Sequence, residues 1–235
     1  GRVVLPGFID SHTHLVFGGY RPEEFIWRMK GDSYMSIMER GGGIINTVRS
    51  TREASFETLK EKAEWYIEVM SRMGVTTVEG KSGYGLDKET ELKQLEVMKA
   101  INENPSRKVD IATTFLGAHA VPTEYKGKED DYIDFLIKEM LPLIQEKKLA
   151  EHCDIFCEKG VFTVEQSRRL LQAAKDKGFG VKIHADEIVS FGGAELAGEL
   201  QALSADHLLH ASDAGIQAMA DNHVVATLLP LTAFT

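Results

Sequence analysis

Phe8-Ile9-Asp10-Ser11-His12-Thr13-His14 closes an apolar, strand-like run that begins at Val3, and the way this run ends decides between two folds. Side chains alternate faces along a strand, so His12 and His14 point the same way. An open doubly wound sheet announces its first strand with a glycine-rich turn that cradles phosphate. Here the strand, read as Val3–Asp10, leads into histidines instead. In a (β/α)8 barrel the C-terminal strand ends form the active-site mouth, where two imidazoles facing one way can share a metal ion.

The rest of the chain repeats the pattern. Further strand-like runs are Val75–Glu79, Val109–Leu116, Cys153–Cys157, Gly180–His184, Ala202–His207 and Val224–Leu229. Their near-continuous apolar character suits parallel strands buried on both faces. Amphipathic stretches separate them. Phe56, Leu59, Ala63, Ile67, Met70 and Met73 recur at helical spacing, and Gly74 follows as a stop. Leu92, Leu95 and Met98 do the same after Asp87, an N-cap candidate. Thr163-Val164-Glu165-Gln166 has the form of a capping box for a helix that Gly178 closes. Pro142 is expected to kink or divide the helical pattern from Asp131 to Lys148. Gly41-Gly42-Gly43 opens no phosphate loop and reads as a flexible connection.

About seven β-then-α units result, which imply parallel strands with right-handed crossovers. Seven units in 235 residues, against roughly 250 for eight, fit an α/β, TIM-like (β/α)8 barrel without its last strand. The first residues lack a lead-in and the last apolar run stops abruptly. Residues 1–235 are therefore expected to be one barrel domain, strands one to seven, cut from a longer protein. An isolated piece with open apolar edges is expected to aggregate.

Composition narrows the function. Asp and Glu number 36 against 27 Lys and Arg, a formal net charge of -9, and no basic patch offers itself to nucleic acid. No stretch reaches the 18 or so apolar residues of a membrane span, and no signal core is present. Cys153 and Cys157 lie four strand steps apart, about 13 Å, too far for a disulfide. Reduced thiols and a cytoplasmic setting follow.

Four of the first six strand units end in histidine: His12 and His14, then His119, His184 and His207. Surface histidines would not track strand ends. His152 starts the fourth strand, at the opposite end of a barrel, and reads as structural, while His210 and His223 read as surface residues. Spacing alone does not separate His207 from His210.

VLPGFIDSHTH resembles the first-strand signature of the amidohydrolase superfamily. FGGYR, KSGYGL, FLGAHAVP, KIHADE and SADHL, in that order, resemble the imidazolonepropionase family within it. The resemblance runs essentially end to end. It implies that His12, His14 and His184 are metal ligands and that Arg21, Tyr84, His119 and Glu187 contact substrate. It further implies that His207 and Glu187 are catalytic. The family's remaining ligand, an aspartate at the end of the eighth strand, and its small β-sandwich have no counterpart in this chain. Bland alternatives stand beside three assignments: Arg21 as a surface loop residue, Tyr84 as a turn residue, and Glu187 as a helix cap. Lys159 follows the fourth strand rather than lying within it, which favours one metal over a lysine-bridged pair.

The activity implied is hydrolysis of 4-imidazolone-5-propanoate to N-formimino-L-glutamate in histidine degradation. One divalent metal, zinc or iron, would activate the water. His207 would orient or deprotonate that water, Glu187 would hold and protonate a ring nitrogen, and Arg21 with Tyr84 would bind the propanoate. How His207 and Glu187 divide the proton transfers is open. A small-molecule substrate is the expected partner, with a homodimer implied by resemblance. The rival readings are a purine or pyrimidine ring deaminase, which needs no carboxylate-binding Arg21, and a non-catalytic barrel.

Overall fold

Among the described residues seven strands pair in the order in which the chain makes them, every pair parallel. The computed structural model describes residues 3–32 and 42–233. The strands are β1 (Phe8–Thr13), β2 (Val75–Lys81), β3 (Asp110–Ala118), β4 (His152–Cys157), β5 (Gly180–Ala185), β6 (Ser204–His207) and β7 (Val225–Thr227). Each crossover carries helix: α1 (Pro22–Met29), α2 (Ile44–Glu53) and α3 (Phe56–Arg72) after β1, α4 (Lys88–Asn102) after β2, α5 (Glu129–Phe135) and α6 (Leu141–Lys147) after β3. After the next three strands come α7 (Val164–Asp176), α8 (Gly193–Glu199) and α9 (Asp213–Asp221). This is the strand order and alternation of an unclosed (β/α) barrel.

Several local readings hold. The Asp87 side chain accepts from Thr90 N and caps α4. Thr163 and Gln166 form the reciprocal capping box of α7, and Gly178 leaves that helix at φ 87°, a conformation glycine adopts without strain. A π-turn at Leu136–Met140 separates α5 from α6, with Pro142 in the next turn. The proline ring collides with the carbonyl four residues back, and the wider turn relieves that clash.

Other readings shift. β1 starts at Phe8 rather than Val3, because its neighbour β2 begins at Val75, opposite Phe8, leaving Val3, Val4 and Leu5 exposed. β2, β3 and β5 run further than their apolar stretches, to Lys81, Ala118 and Ala185. Ile44–Glu53 is helical, burying Thr47, Val48 and Thr51. Gly41 lies outside the described residues. Gly42 and Gly43 are not a loose connection: both are buried, and Gly43 N–H donates to Glu24 Oε1 at 2.9 Å.

The sheet's two faces differ. Outward-facing Val78, Ile111, Phe115, Ile155, Ile183 and Ala205 join one core with helix residues such as Leu59, Leu95, Met98, Leu170 and Leu171. The inward face carries charge. Glu79, Lys81, Asp154, Lys182 and Asp206 are all buried inside the barrel, so the expectation of apolar strands on both faces fails here. Outside, α8 and α9 cross where a Cβ on Gly198 would lie 2.6 Å from the Ala218 backbone. Gly198→Val should push these helices apart and destabilise the fold by about 1–3 kcal/mol. A urea midpoint unchanged from the parent would contradict the close approach.

Candidate metal centre and active-site mouth

Five histidines meet at the C-terminal ends of the strands. His12 and His14 come from the end of β1, His119 and His184 from β3 and β5, and His207 from β6. Ring centroids lie 4.7 Å apart for His12 and His184, 5.1 Å for His12 and His207, and 4.5 Å for His14 and His119, the last pair stacked. Ligand atoms of His12, His184 and His207 fall within 4.8 Å of one another, as do those of His14, His119 and His184. The structure thus brings all five together and makes His184 the shared member. His12, His14 and His184 do not form a third such group, although the His12 and His14 rings are only 5.4 Å apart. His152 lies at the far end of β4 against Gly180, and His210 and His223 are exposed. Burial therefore separates His207 from His210, as spacing could not.

Four of these imidazoles, those of His14, His119, His184 and His207, are held in the neutral form. Burial, reinforced by His119, His12 and His184, holds His14 well below the usual histidine range. Burial also holds His184 well below it despite Asp154, and brings His119 and His207 down to about 4. Neutral imidazole is the ligating form. His14 Nδ1 and His184 Nε2 are buried without a hydrogen-bond partner. Orphaned buried nitrogens are costly, and a divalent cation would satisfy them, so the donor set fits a metal. Lys159 is exposed and well placed for solvent rather than for bridging ions.

His207 reaches the mouth through unusual backbone. Its φ is 77° and that of Leu208 is 60°, a left-handed pair that costs of order 1–3 kcal/mol per residue. Strand alternation would send Asp206 and His207 to opposite faces, and the turn lets both face inward. Leu208 N–H donating to Ala185 O and His210 N–H donating to Asp186 O hold it in place.

Glu187 stands beside His207, its Oε1 3.5 Å from Nδ1. Burial, with the charge of Glu158 second, pushes its carboxyl up to about 7. It is not the helix cap. That task falls to buried Asp186, which accepts from the N–H groups of Phe191, Gly192, Gly193 and Ala194. Sequence reasoning passed over Asp186, although an Asp six residues before a Gly-Gly helix start was the available signal.

A cavity of about 190 Å³ opens beside His14, lined by Phe17, Gly19, Tyr20, Arg21, Thr47 and Tyr84. Arg21 and Tyr84 thus share one wall with a mouth histidine. Arg21 Nη1 also lies 3.3 Å from Glu24 Oε2, which leaves other guanidinium donors for a ligand. Tyr84 is set by α4: Glu91 accepts from the N–H groups of Gly83, Gly85 and Leu86. Gln94 accepts from Tyr84 N–H and donates to Val16 O. Lys62 lies 3.6 and 3.7 Å from the ring centroids of Phe17 and Tyr20 and donates to Gly19 O. Glu91, Gln94 and Lys62 carried no motif that could have marked them.

Residues 3–222 match the family model described as "Amidohydrolase family". The chain belongs to the amidohydrolase family. Over its whole length it is 80% identical to an imidazolonepropionase of Phocaeicola vulgatus and covers 57% of that protein. It is 70% identical to one of Bacteroides thetaiotaomicron, covering 100% of this chain and 56% of that one. The chain thus spans just over half the length of these curated relatives. Among solved structures, this amidohydrolase chain superposes on a 5-methylcytosine deaminase from Klebsiella pneumoniae with a TM-score of 0.67 at 14% identity, covering 94% of this chain and 53% of that one. An N6-methyl-AMP deaminase from Arabidopsis thaliana gives 0.62 at 15%, over 95% and 70%. At such identities the likeness concerns the fold alone.

Glu187 makes stability depend on pH in a defined direction. Its folded carboxyl titrates near 7 against an ordinary 4.5, so the folded state holds a proton that the unfolded state releases. Its stabilising contribution is complete below pH 4.5 and is lost as pH rises through about 7. In metal-free protein, Glu187→Gln should match the parent's melting temperature near pH 5 and exceed it at pH 8. A constant difference across that range would remove Glu187 as the raised group.

Proposed function

We propose that the full-length protein hydrolyses the ring amide of 4-imidazolone-5-propanoate to N-formimino-L-glutamate. The observation that carries this reading is the five-histidine mouth adjoining a cavity walled by Arg21 and Tyr84. Support for the substrate comes from the relatives named imidazolonepropionase, at 80% and 70% identity. We assign one divalent metal, zinc or iron, to His12, His14 and His184. The aspartate ligand that the resemblance implies lies outside residues 1–235. Soluble cytoplasmic enzyme, homodimeric assembly and histidine degradation complete the reading.

A divalent metal at this donor set supplies Lewis acidity, lowering the pKa of a water and polarising a carbonyl. The chain's own groups do the rest. His207, neutral at pH 7, accepts a proton from the attacking water and donates toward the developing oxyanion. Glu187, half-protonated near neutral pH, is matched to deliver a proton to the departing ring nitrogen. Its Oε1 stands 3.5 Å from His207 Nδ1, so the two can relay one proton through a small rearrangement. His119, with Nδ1 held by Gly83 O at 3.1 Å, keeps Nε2 for the substrate. Arg21 reads the propanoate through charge-assisted hydrogen bonds, and Tyr84 closes the wall beside it.

The test is a substrate panel on the metal-loaded, full-length protein, with imidazolone opening set against ring deamination. His12→Ala or His14→Ala should release most metal and nearly all turnover, while His207→Ala keeps metal and loses rate. Arg21→Met should raise KM for the propanoate substrate by about tenfold to hundredfold, the equivalent of a lost charged hydrogen bond. An uncharged analogue with the same ring should be handled alike by variant and parent. Equal weakening of both would make Arg21 a loop-holding residue, and deamination of a ring substrate would replace the proposed reaction.

A further inference from the structure

Beneath the histidines lies an ionic cluster that the proposed chemistry does not use. Its construction is repeated twice. Asp206 accepts from Ser204 Oγ on Oδ1 at 2.8 Å, while its Oδ2 lies 3.2 Å from Lys81 Nζ and 2.6 Å from His12 Nδ1. Asp154 accepts from Ile155 N–H on Oδ1 at 2.7 Å, while its Oδ2 lies 2.7 Å from Lys81 Nζ and 2.9 Å from His184 Nδ1. In both, one oxygen is fixed by a strand group and the other is shared between Lys81 and a histidine. Both carboxylates and Lys81 are fully buried. Lys81 also meets Glu79 at 3.1 Å, which in turn holds Lys182 at 2.6 Å and Thr114 Oγ1 at 2.6 Å.

We infer that Asp206 and Asp154, clamped by the shared Lys81, are positioning residues for the metal site: each holds one ligand histidine by Nδ1 and commits its Nε2 to the ion. This rests on the metal reading above. A carboxylate at Nδ1 fixes both the tautomer and the ring plane, and it raises the basicity of the other nitrogen. Because one ammonium grips both carboxylates, His12 from β1 and His184 from β5 are referenced to a single point on β2. The Asp206 bond to His12 is the shorter of the two. At Asp154 the 2.9 Å separation lacks hydrogen-bond alignment, and a turn of the His184 ring would complete it. Such losses of an outer partner weaken metal binding by about 10–100-fold.

A charge effect must be told from a positioning effect. Glu79, Asp154, Asp206, Lys81 and Lys182 sum to a net of minus one, three acids against two lysines. The double variant Asp206→Asn/Lys81→Met removes one charge of each sign and keeps that sum. The experiment measures zinc affinity by chelator competition on the full-length protein, with turnover of the imidazolone substrate recorded in parallel. Asp206→Asn and the double variant should both bind zinc about 10–100-fold more weakly than the parent. A double variant that binds zinc like the parent would overturn positioning and leave charge as the cause. If the double variant fails to fold, Ser204→Ala decides, since it frees the Asp206 carboxylate without changing charge. It should weaken zinc several-fold, and parental affinity there would overturn the inference. The outcomes separate the two readings. Weakened zinc in a protein that does not open the imidazolone would sink the substrate and keep the positioning. Parental zinc affinity in active variants would do the reverse, and a parent protein that binds no zinc or iron would overturn both.

Discussion

Lys81 has no exposed surface and touches three carboxylates, those of Glu79, Asp154 and Asp206. Burial alone would pull its proton off, yet the three acids hold its ammonium above the ordinary lysine range. Asp154 and Asp206 respond in kind: burial would raise them, but His184 and Lys81 in one case, and the His12 hydrogen bond and Lys81 in the other, keep both carboxyls below theirs. A buried ion pair adds little net stability compared with apolar packing, but removing one partner costs about 3–5 kcal/mol. The cluster is therefore a constraint more than a source of stability. It ties β2, β4 and β6 together at the axis, and it fixes the height at which the histidines sit.

Above that floor, loops hold the mouth by burying carboxylates against backbone. Glu91 binds three amides of the loop carrying Tyr84, Asp186 four where the loop carrying Glu187 enters α8, and Glu158 the amides of Lys159 and Ile188. Each such carboxylate turns an irregular segment into a fixed one, because the backbone donors have no sheet partner there. The strain at His207 fits the same logic. A left-handed turn that would relax in a free loop persists when flanking carbonyls accept its amides. The site is thus placed by strand ends and held by polar groups, and little of it depends on apolar contact.

The barrel rhythm was legible because the outward strand faces and the helices follow simple periods, and the mouth histidines were legible because they sit at strand ends. Two things were hidden. Glu79, Lys81, Asp154, Lys182 and Asp206 alternate with Val78, Gly80, Ile155, Ile183 and Ala205, so short windows such as Val75–Lys81 read as a strand running out into polar loop. That a barrel has a second, inner face with its own charge balance is a tertiary fact, and a sequence window holds only one strand of it. Helix α2 was hidden by composition: three of its ten residues are buried, two of them threonines. The resemblance singled out Glu187 and His207 without the geometry that relates them, since the turn at His207 leaves no mark in the letters SADHL.

Charge completes the picture of what this mouth can select. The floor carries a net of minus one beneath the mouth imidazoles, so the centre attracts a cation and gives an anion no partner of its own. The wall is opposite in sign. Arg21 stands there with Lys62 behind it, whose ammonium burial has brought down to about 8 while Phe17 and Tyr20 lie against it. A cation pressed on aromatic faces is stabilised by their quadrupoles, and the same contact stiffens the loop from which Arg21 projects. In a chain of net charge -9, this local reversal is what would let an anionic tail approach at all. A molecule with an uncharged ring and one carboxylate fits such a division, the ring over the cation-seeking floor and the carboxylate against the wall. A neutral nucleobase would fill the first half and leave the guanidinium donors that Glu24 does not occupy without a carboxylate of the ligand, which is the physical ground for proposing a carboxylate-bearing substrate rather than a ring-deaminase substrate on the same fold.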